Sequence, residues 1–538
     1  MSISSDVIVV GSGASAVHAA QAVVEAGRTV TMLDVGYEDT VYAPLVPEAP
    51  FAELRRSDRG QHRYFLGDEF EGVPLGILGA GPQVTPPRQY VVRQVDALTP
   101  TQSPDFAALE SLALGGLGGA WGAVCFPFLE HELAQCGLPA AEMRTHYEIV
   151  ARRIGISGDH NDLDPLRGRL EALQPPLEID ANAARILARY EHRKEMFHRE
   201  RVYVGKPVMA MLSRALNDRQ ANPYYDMDFW SNAGGSVYRP QLTVRQLQGY
   251  RGFSYRRPWL MNSFMETADG HVRVRARALD SGGTEQFEAR RLILAAGALG
   301  SVRIVLRSLQ QYDVPVPLTC NAHTYVPCLN YGNLGQVPRE RCHSLAQLTM
   351  IYDPTGDRQH LVQGQLYSYR SLLLFRLLKE LPFPQHESLR IIRELAPSMV
   401  IWVIQHEDHQ SSGNHCILRR RPDGSGDYLE IASQQSAALT KSQRSCERAM
   451  MRAMRRLGCW PLRAVHPEHG SSVHYASTLP SSTADKPLTT EPSGRLRGTN
   501  AVYIADGAAL AYLPAKGLTG TLMANANRVG QFVARSID

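Results

Sequence analysis

The hydrophobic pattern at the start of the chain predicts a strand, a glycine turn, a helix and a second strand. Val7 to Val10 is an unbroken apolar run rich in β-branched residues, which is typical of a strand buried on both faces of a parallel sheet. Residues 14–25 have a helical composition that ends at Gly27, and residues 28–33 form the next apolar run. We therefore expect the chain to begin with a parallel α/β unit.

Apolar runs farther along the chain predict strands that return to the same sheet. Residues 290–301 pass from an apolar strand into small residues, and a helical pattern follows over 302–309. Residues 501–507 form a similar strand, and residues 519–533 again have a helical composition. Because buried strands that alternate with helices form parallel sheets, these elements predict an α/β fold.

The long middle of the chain has a different pattern. Residues 130–218 are predicted to be mostly helical, whereas residues 320–460 mix strands and helices around a strong strand at 398–405. Residues 37–100 hold many prolines and are expected to be irregular.

The turn after the first strand has the residues of a dinucleotide site. Gly11 and Gly13 permit a tight turn and a close backbone approach, while Ala14 and Ser15 open a helix whose N-terminus favours a diphosphate. Asp34 ends the second strand, 21 positions after Gly13, which is the usual place of an acid that binds ribose hydroxyls. The motif predicts a dinucleotide but does not separate NAD from FAD.

A second glycine-rich stretch predicts another backbone surface against the ligand. Residues 115–122 contain five glycines, with Trp121 among them. A flexible linker is the alternative, but linkers prefer serine and rarely carry bulky aromatic residues. The aromatic loop within residues 222–252 is either a pocket wall or a loop that packs on its own domain.

Composition and charge exclude several classes of protein. The 538 residues carry a net charge of +4 and are 44% hydrophobic, which gives no argument for nucleic-acid binding. No apolar run reaches the roughly 18 residues of a membrane span, and the first strand begins by residue 6, where a secretory signal would lie. The eight cysteines form no C-x-x-C pair, so we expect free thiols and a cytoplasmic location.

A run of two histidines and two acids, at residues 406–409, raises the question of a metal site. Alternate residues of a strand point to opposite faces of the sheet, so these four side chains cannot all converge. We therefore predict that the chain holds no metal.

Three separated pieces together resemble FAD-dependent oxidoreductases of the glucose–methanol–choline type: the first glycine turn, the 290–301 strand and the strand that ends at Asp506. The resemblance covers both ends of the chain and the middle only loosely. The Trp121-Gly122 pair resembles the branch that handles sugars and polyols. The resemblance implies noncovalent FAD, because no histidine precedes the second glycine stretch as a covalent flavin link would require. The cofactor contacts that it implies are Gly11, Gly13, Ala14, Ser15, Asp34, Val35, Gly115, Gly118, Gly119, Trp121, Gly122, Ala123, Met261, Ala296, Gly297, Asp506, Gly507, Leu518 and Thr519.

Residues 470–480 resemble the segment in which this family carries its catalytic histidine, and His474 fits that role. Such a base would take the proton of an alcohol while the oxidised flavin accepts hydride from the adjacent carbon. The chain departs from the family at Ser477, where glycine is usual, and at Gly517, where a second His or Asn is usual. Lys516 or a residue from the middle of the chain would then substitute, or the substrate is held differently.

The resemblance also implies a division into domains. A Rossmann-like FAD-binding domain would comprise residues 1–130, 255–320 and 465–538, and an α+β substrate domain with a mixed or antiparallel sheet would comprise 131–254 and 321–464. The expected activity is oxidation of a hydroxyl on a small sugar-like or polyol substrate, with O2 or another, unidentified electron acceptor. The alternatives are an altered active site (a lyase, an isomerase or a natural-product tailoring enzyme) and a non-catalytic FAD-binding protein. The sequence does not predict the oligomeric state.

Overall fold

The strand and helix pattern predicted at the two ends of the chain is present in the computed structural model, which describes residues 4–72, 85–336, 341–368, 382–410, 413–434 and 436–537. The strands are β1 Ser4–Val10, β2 Val30–Leu33, β3 Thr101–Gln102, β4 Ile156–Ser157, β5 Leu173–Gln174, β6 Val202–Gly205, β7 Phe253–Arg256, β8 Trp259–Glu266, β9 Val272–Ala278, β10 Thr284–Leu294, β11 Pro315–Pro317, β12 Thr319–Cys320, β13 His323–Asn330, β14 Leu348–Tyr352, β15 Val362–Tyr367, β16 Met399–Gln405, β17 Asp408–His409, β18 His415–Arg420, β19 Asp427–Ala432, β20 Cys459–Pro461, β21 Tyr475–Ala476, β22 Val502–Ile504 and β23 Tyr512–Leu513. The α-helices are α1 Ala14–Glu25, α2 Phe51–Ser57, α3 His62–Leu66, α4 Val95–Leu98, α5 Glu130–Gln135, α6 Ala140–Ile154, α7 Ala181–His192, α8 Lys194–Arg199, α9 Pro240–Leu247, α10 Ala298–Ser308, α11 Gln385–Leu395, α12 Ala437–Arg456 and α13 Thr519–Arg535.

The first large sheet joins both ends of the chain. Its strands lie in the order β7-β2-β1-β10-β9-β8, and β22 pairs with β10. The pairs among β7, β2, β1, β10 and β22 are parallel, whereas β8, β9 and the first half of β10 form an antiparallel meander. In this register Val9 lies between Met32 and Ile293. The carboxyl ends of β1, β2, β10 and β22 therefore meet at one edge of the sheet.

Both faces of β1 are covered, as its unbroken apolar run predicts. Val7 and Val9 pack into a cluster with side chains of α1 and α13. Ile8 and Val10 point to the other face and pack with side chains of α10. The strand is buried over residues 7–10 for this reason.

The second large sheet is antiparallel. Its order is β20-β13-β16-β15-β14-β6, and α12 packs its apolar side chains against it. Every strand of this sheet comes from the ranges predicted for the substrate domain. The first sheet uses the ranges predicted for the other domain, apart from β7, which crosses the predicted boundary at 254/255. The division into domains stays a prediction, and the membership of the two sheets supports it.

Two stretches differ from the pattern expected for them. Residues 37–100 were expected to be irregular but contain α2, α3 and α4, while residues 73–84 lie outside the described part. Residues 130–218, expected to be mostly helical, also include β4, β5 and β6. Glycine and proline residues break the helical composition there, as at Gly155, Pro165 and Pro175. Among the described helices, none has both the length and the apolarity needed to cross a membrane.

The packing of α13 on α1 generates a prediction about Gly530. A Cβ atom at this position would lie 2.5 Å from the backbone oxygen of Ala19. We expect Gly530→Val to lower the free energy of unfolding by about 1–3 kcal/mol, because two backbones must separate to admit the side chain. Urea unfolding followed by circular dichroism measures this, and the exposed Arg535→Ala in the same helix is the control. Equal stability of Gly530→Val and Arg535→Ala would contradict this packing.

Candidate active site

One continuous cavity lies at the edge where the parallel strands end. Its wall includes the turn after β1, the end of β2, the glycine stretch, the turn after β10 and the start of α13. Side chains of the antiparallel sheet close it from the other side, from β13, β15 and β16. The cavity therefore lies between the two sheets, at the strand ends where α/β folds commonly bind ligands.

The turn after β1 is shaped by close backbone approach. Gly11 has a φ of +95°, and a Cβ atom there would lie 2.7 Å from the backbone oxygen of Ala295. Glycine is needed at this point because the ends of β1 and β10 nearly touch. At Gly13 a Cβ atom would have no neighbour closer than 3.9 Å, so this glycine faces open space. Ala14 and Ser15 follow on the cavity wall, and no side chain caps the start of α1. The free N–H groups at that start can bind an anion.

Asp34 lies on the cavity wall beside this turn and is almost fully buried. Its Oδ2 accepts hydrogen bonds from the hydroxyls of Ser12, at 2.5 Å, and Tyr255, at 2.9 Å. Burial raises the pKa of Asp34 to about 6, against the lowering effect of these hydroxyls. The N–H of Gly115 donates to Ser12 Oγ at 2.9 Å, so Ser12 connects Asp34 to the second glycine stretch. The sequence interpretation did not identify Ser12, which lies between the two motif glycines.

The second glycine stretch is folded against the first turn and is not a linker. Gly118, Trp121, Gly122 and Ala123 line the cavity. The indole N–H of Trp121 donates to the backbone oxygen of Tyr238 at 2.7 Å, which fixes the ring. Two of the predicted contacts, Gly115 and Gly119, lie behind this wall: Cβ atoms there would meet Gln241 and Tyr90.

The strand ends at β10 and β22 complete this side of the cavity. Ala296, Gly297, Asp506 and Gly507 all line it. Asp506 accepts hydrogen bonds from the Ser301 hydroxyl, at 2.5 Å, and from the N–H of Ala508, at 3.0 Å. Burial raises the pKa of Asp506 to about 6. This carboxyl group thus joins the end of β22 to the start of α10.

Two further predicted cofactor contacts, besides Gly115 and Gly119, are not among the residues that line the cavity. Met261 is buried in β8 and packs with Phe264 in the core of the first sheet. Val35 is also buried, next to Asp34 but outside the cavity lining.

His474 lies on the cavity wall at the entry to β21. Three residues farther on, Ser477 has a φ of +69°, a left-handed conformation that favours glycine. The hydroxyl of Ser477 donates to the backbone oxygen of Leu510 at 2.8 Å and lies 2.8 Å from Thr319 Oγ1. The chain therefore keeps a glycine-like backbone at Ser477 and satisfies the added side chain with hydrogen bonds.

Two amide side chains, Asn321 and Gln405, surround the ring of His474. Asn321 Nδ2 donates to the backbone oxygens of His406, at 2.7 Å, and Pro514, at 3.1 Å, so Asn321 Oδ1 faces the ring. Gln405 Nε2 lies 2.8 Å from the backbone oxygen of Lys516 and 3.0 Å from Asn321 Oδ1. It also lies 3.1 Å from His474 Nδ1.

This network is compatible with a tautomer of His474 in which Nδ1 carries the proton. An amide nitrogen has two protons, and the backbone oxygen of Lys516 and Asn321 Oδ1 can accept both from Gln405. In that arrangement His474 Nδ1, 3.2 Å from Asn321 Oδ1, donates its proton to this oxygen. Nε2 of the same ring is left as the acceptor. Burial lowers the pKa of His474 to about 4, so the ring is neutral near pH 7.

A second imidazole faces the same cavity. His323, the first residue of β13, has its ring centroid 5.5 Å from that of His474, and the two rings are nearly perpendicular. Within the described part of the chain, the buried Nε2 of His323 has no hydrogen-bond partner. Burial, together with the neighbouring His474 and His406, lowers the pKa of His323 to about 3. A buried polar atom without a partner indicates a place where a ligand can bind.

The neighbouring residues Gly517 and Lys516 differ in whether they reach the cavity. Gly517 lines the cavity with Leu518 and Thr519, and a Cβ atom at Gly517 would lie 3.2 Å from the backbone oxygen of Val124. Lys516 is not part of the lining. Its ammonium is buried and binds both carboxylate oxygens of Glu132, at 2.6 and 2.8 Å. The side chain of Lys516 is thus committed to an ion pair and does not occupy the space that Gly517 leaves.

No family model matches the chain, and no curated protein matches it in sequence. Among the solved structures that match is a formate oxidase of Aspergillus oryzae RIB40, studied for the effect of a mutation on FAD modification. It is 11% identical, with a TM-score of 0.59 over 99% of this chain and 98% of that one. The chain therefore has the fold of an FAD-containing oxidase, which confirms the predicted mixed α/β class. The sugar or polyol branch stays a prediction.

The buried ion pair of Lys516 generates a prediction. Glu132→Gln leaves the ammonium buried without its partner, and we expect it to lower the free energy of unfolding by about 3–5 kcal/mol. Urea unfolding at neutral pH measures this. Glu130→Gln, on the same helix, is the matched control, because Glu130 is exposed and lies 4.0 Å from Arg144. We expect a change below about 1 kcal/mol there. Equal free energies of unfolding in the two variants would show that the buried ion pair does not stabilise the fold.

Proposed function

We propose that the protein is an FAD-dependent oxidoreductase that oxidises a hydroxyl of a small sugar-like or polyol substrate by hydride transfer to the flavin. The observation that carries the proposal is the cavity itself. One end has the uncapped start of α1 and the buried Asp34, and the other has the buried, neutral imidazole of His474. The shared fold with an FAD-containing oxidase supports the choice of cofactor.

The residues at each part of the cavity suit FAD. The start of α1 would bind the diphosphate through backbone N–H groups, and Asp34 would accept hydrogen bonds from ribose hydroxyls. The glycine stretch leaves backbone surface for the flavin, and the start of α13, at Thr519, would favour negative charge on the reduced ring. Bound FAD supplies the hydride acceptor. We propose noncovalent binding, because residues 115–123 on this wall include no nucleophilic side chain.

The chain's own residues would move the proton. His474 Nε2 takes the hydroxyl proton of the substrate, and the hydrogen on the adjacent carbon leaves with its electron pair, so the substrate becomes a carbonyl compound. Asn321 Oδ1 accepts a hydrogen bond from Nδ1–H of His474 and stabilises the imidazolium that forms. His323 Nε2 offers a second polar atom for the substrate oxygen, which compensates for the absent side chain at Gly517.

The aromatic loop supports the preference for a sugar-like substrate through one residue. Phe229 lines the cavity together with Tyr325 and Tyr367, and aromatic rings can pack against sugar faces. Phe229, Tyr224 and Trp230 all belong to the hydrophobic core, and the last two are not part of the cavity lining. An electron acceptor, O2 or another compound, would then reoxidise the flavin, and the residues named above do not identify it.

Gly517 favours a second candidate, in which the same fold carries an altered chemistry. A lyase, an isomerase or a natural-product tailoring enzyme would not need a second polar side chain opposite His474. The backbone oxygen of Val124, only 3.2 Å from the position of a Cβ atom on Gly517, leaves little room for one.

Anaerobic titration tests the proposed activity. We expect the purified or reconstituted protein to be yellow, to release FAD on acid denaturation, and to lose its flavin absorbance when a polyol or sugar substrate is added without air. Substrate turnover without bleaching would favour the altered chemistry. Failure to retain FAD after reconstitution would refute the cofactor assignment.

A substitution at His474 tests the base. We expect His474→Ala to retain FAD but to reduce the flavin about 10²–10⁴ times more slowly, since the proton loses its acceptor. Stopped-flow absorbance under anaerobic conditions gives the rate constant. His469→Gln is the control, because His469 lies five positions before His474 and is not part of the cavity lining. A normal rate in His474→Ala would remove this residue from the reaction.

A further inference from the structure

Three side chains that can bind a metal meet at the surface beside the β17–β23 ribbon. His360 Nδ1 lies 2.7 Å from Glu407 Oε1, and His409 Nε2 lies 3.5 Å from the same oxygen. All three ligand atoms lie within 4.8 Å of one another. None of them lines the cavity described above.

The strand alternation that prevents all four side chains of residues 406–409 from converging leaves two of them on one side. Glu407 and His409 are two positions apart and face the same side. His406 and Asp408 face the other way: His406 Nε2 lies 3.6 Å from Glu447, and Asp408 accepts the N–H of Cys320. The third ligand comes from residue 360, which sequence spacing could not reveal.

Tyr512 orients the carboxylate of this cluster. Its hydroxyl donates to Glu407 Oε2, which leaves Oε1 directed at the two imidazoles. The ring of His409 lies against that of Tyr512, with centroids 4.7 Å apart. A hydrogen bond of this kind to the second carboxylate oxygen is common around bound metals.

We propose that His360, Glu407 and His409 bind a divalent transition metal, with Zn²⁺ as the preferred ion. Zinc takes imidazole nitrogen and carboxylate oxygen at about 2.0–2.2 Å, so its ligand atoms lie roughly 3–3.5 Å apart. The 3.5 Å separation between His409 Nε2 and Glu407 Oε1 already fits this spacing, and His360 Nδ1, at 2.7 Å, lies somewhat closer to the same oxygen. Two nitrogen donors disfavour Mg²⁺ and Ca²⁺, which prefer oxygen. The His360 side chain is 52% exposed, so water can complete the coordination.

The metal would join two parts of the chain. His360 precedes β15 of the antiparallel sheet, whereas His409 belongs to β17, which pairs with β23. Residues 514–517 follow β23 and reach the wall of the cavity at Gly517. Because a ligand that binds only the folded state stabilises it, Zn²⁺ should raise the melting temperature.

Equilibrium dialysis of the tag-free full chain against Zn²⁺, with zinc measured by atomic absorption, tests the proposal. We expect one bound ion, a higher melting temperature, and loss of both effects in His360→Ala and in His409→Ala. Tyr512→Phe should weaken binding about 10–100-fold through loss of the orienting hydrogen bond. The free cysteines are all buried and should not compete.

A second cluster supplies the matched control. Asp269, His271 and Glu288 also bring three ligand atoms within 4.8 Å of one another on the meander of the first sheet. We expect His271→Ala to bind zinc as the unsubstituted chain does. Loss of zinc binding in His271→Ala but not in His360→Ala would overturn the assignment. An unchanged zinc stoichiometry in His360→Ala would also overturn it, as would the absence of bound zinc in the unsubstituted chain. None of these readouts depends on FAD or on turnover.

Discussion

The close contact between the ends of β1 and β10 is the constraint on which the site depends. Gly11 brings its backbone so near to Ala295 that any side chain would collide with a carbonyl oxygen. This contact lets the two central strands end side by side, with β2 and β22 flanking them. Asp34 follows the end of β2 and Asp506 follows the end of β22, so both residues line the same cavity.

The chemistry of His474 is set by residues that come from three parts of the chain. Asn321 precedes β13, Gln405 ends β16, and the backbone oxygen of Lys516 comes from the segment before α13. Each amide is oriented by backbone oxygens, which can only accept hydrogen bonds. The surroundings of the His474 ring therefore depend on the fold of both sheets. The ion pair of Lys516 with Glu132 fixes the side chain of the same residue.

Local motifs were predictable from the sequence, and long-range partners were not. The turn at Gly11, the helix after it and Asp34 follow from spacing within one α/β unit, and the structure brings them together. Met261 shows the limit, because the face of β8 on which a residue lies depends on strand register. Lys516 shows a second limit, because its partner Glu132 lies 384 positions away and no residue near Lys516 in the sequence indicates it. Helical composition likewise could not reveal β6, which forms only when β14 pairs with it.

Ser477 and Gly517 contribute to the cavity region in different ways, and the difference bears on function. At Ser477 the backbone has the left-handed conformation that favours glycine, and the hydroxyl is held by a hydrogen bond to the backbone oxygen of Leu510. At Gly517 the backbone reaches the cavity but no side chain enters it. The cavity therefore gains no side chain from Gly517, but it does include His323 of β13. Among the residues that the structure describes, the buried Nε2 of His323 has no hydrogen-bond partner, and burial makes such a nitrogen costly until a ligand binds it.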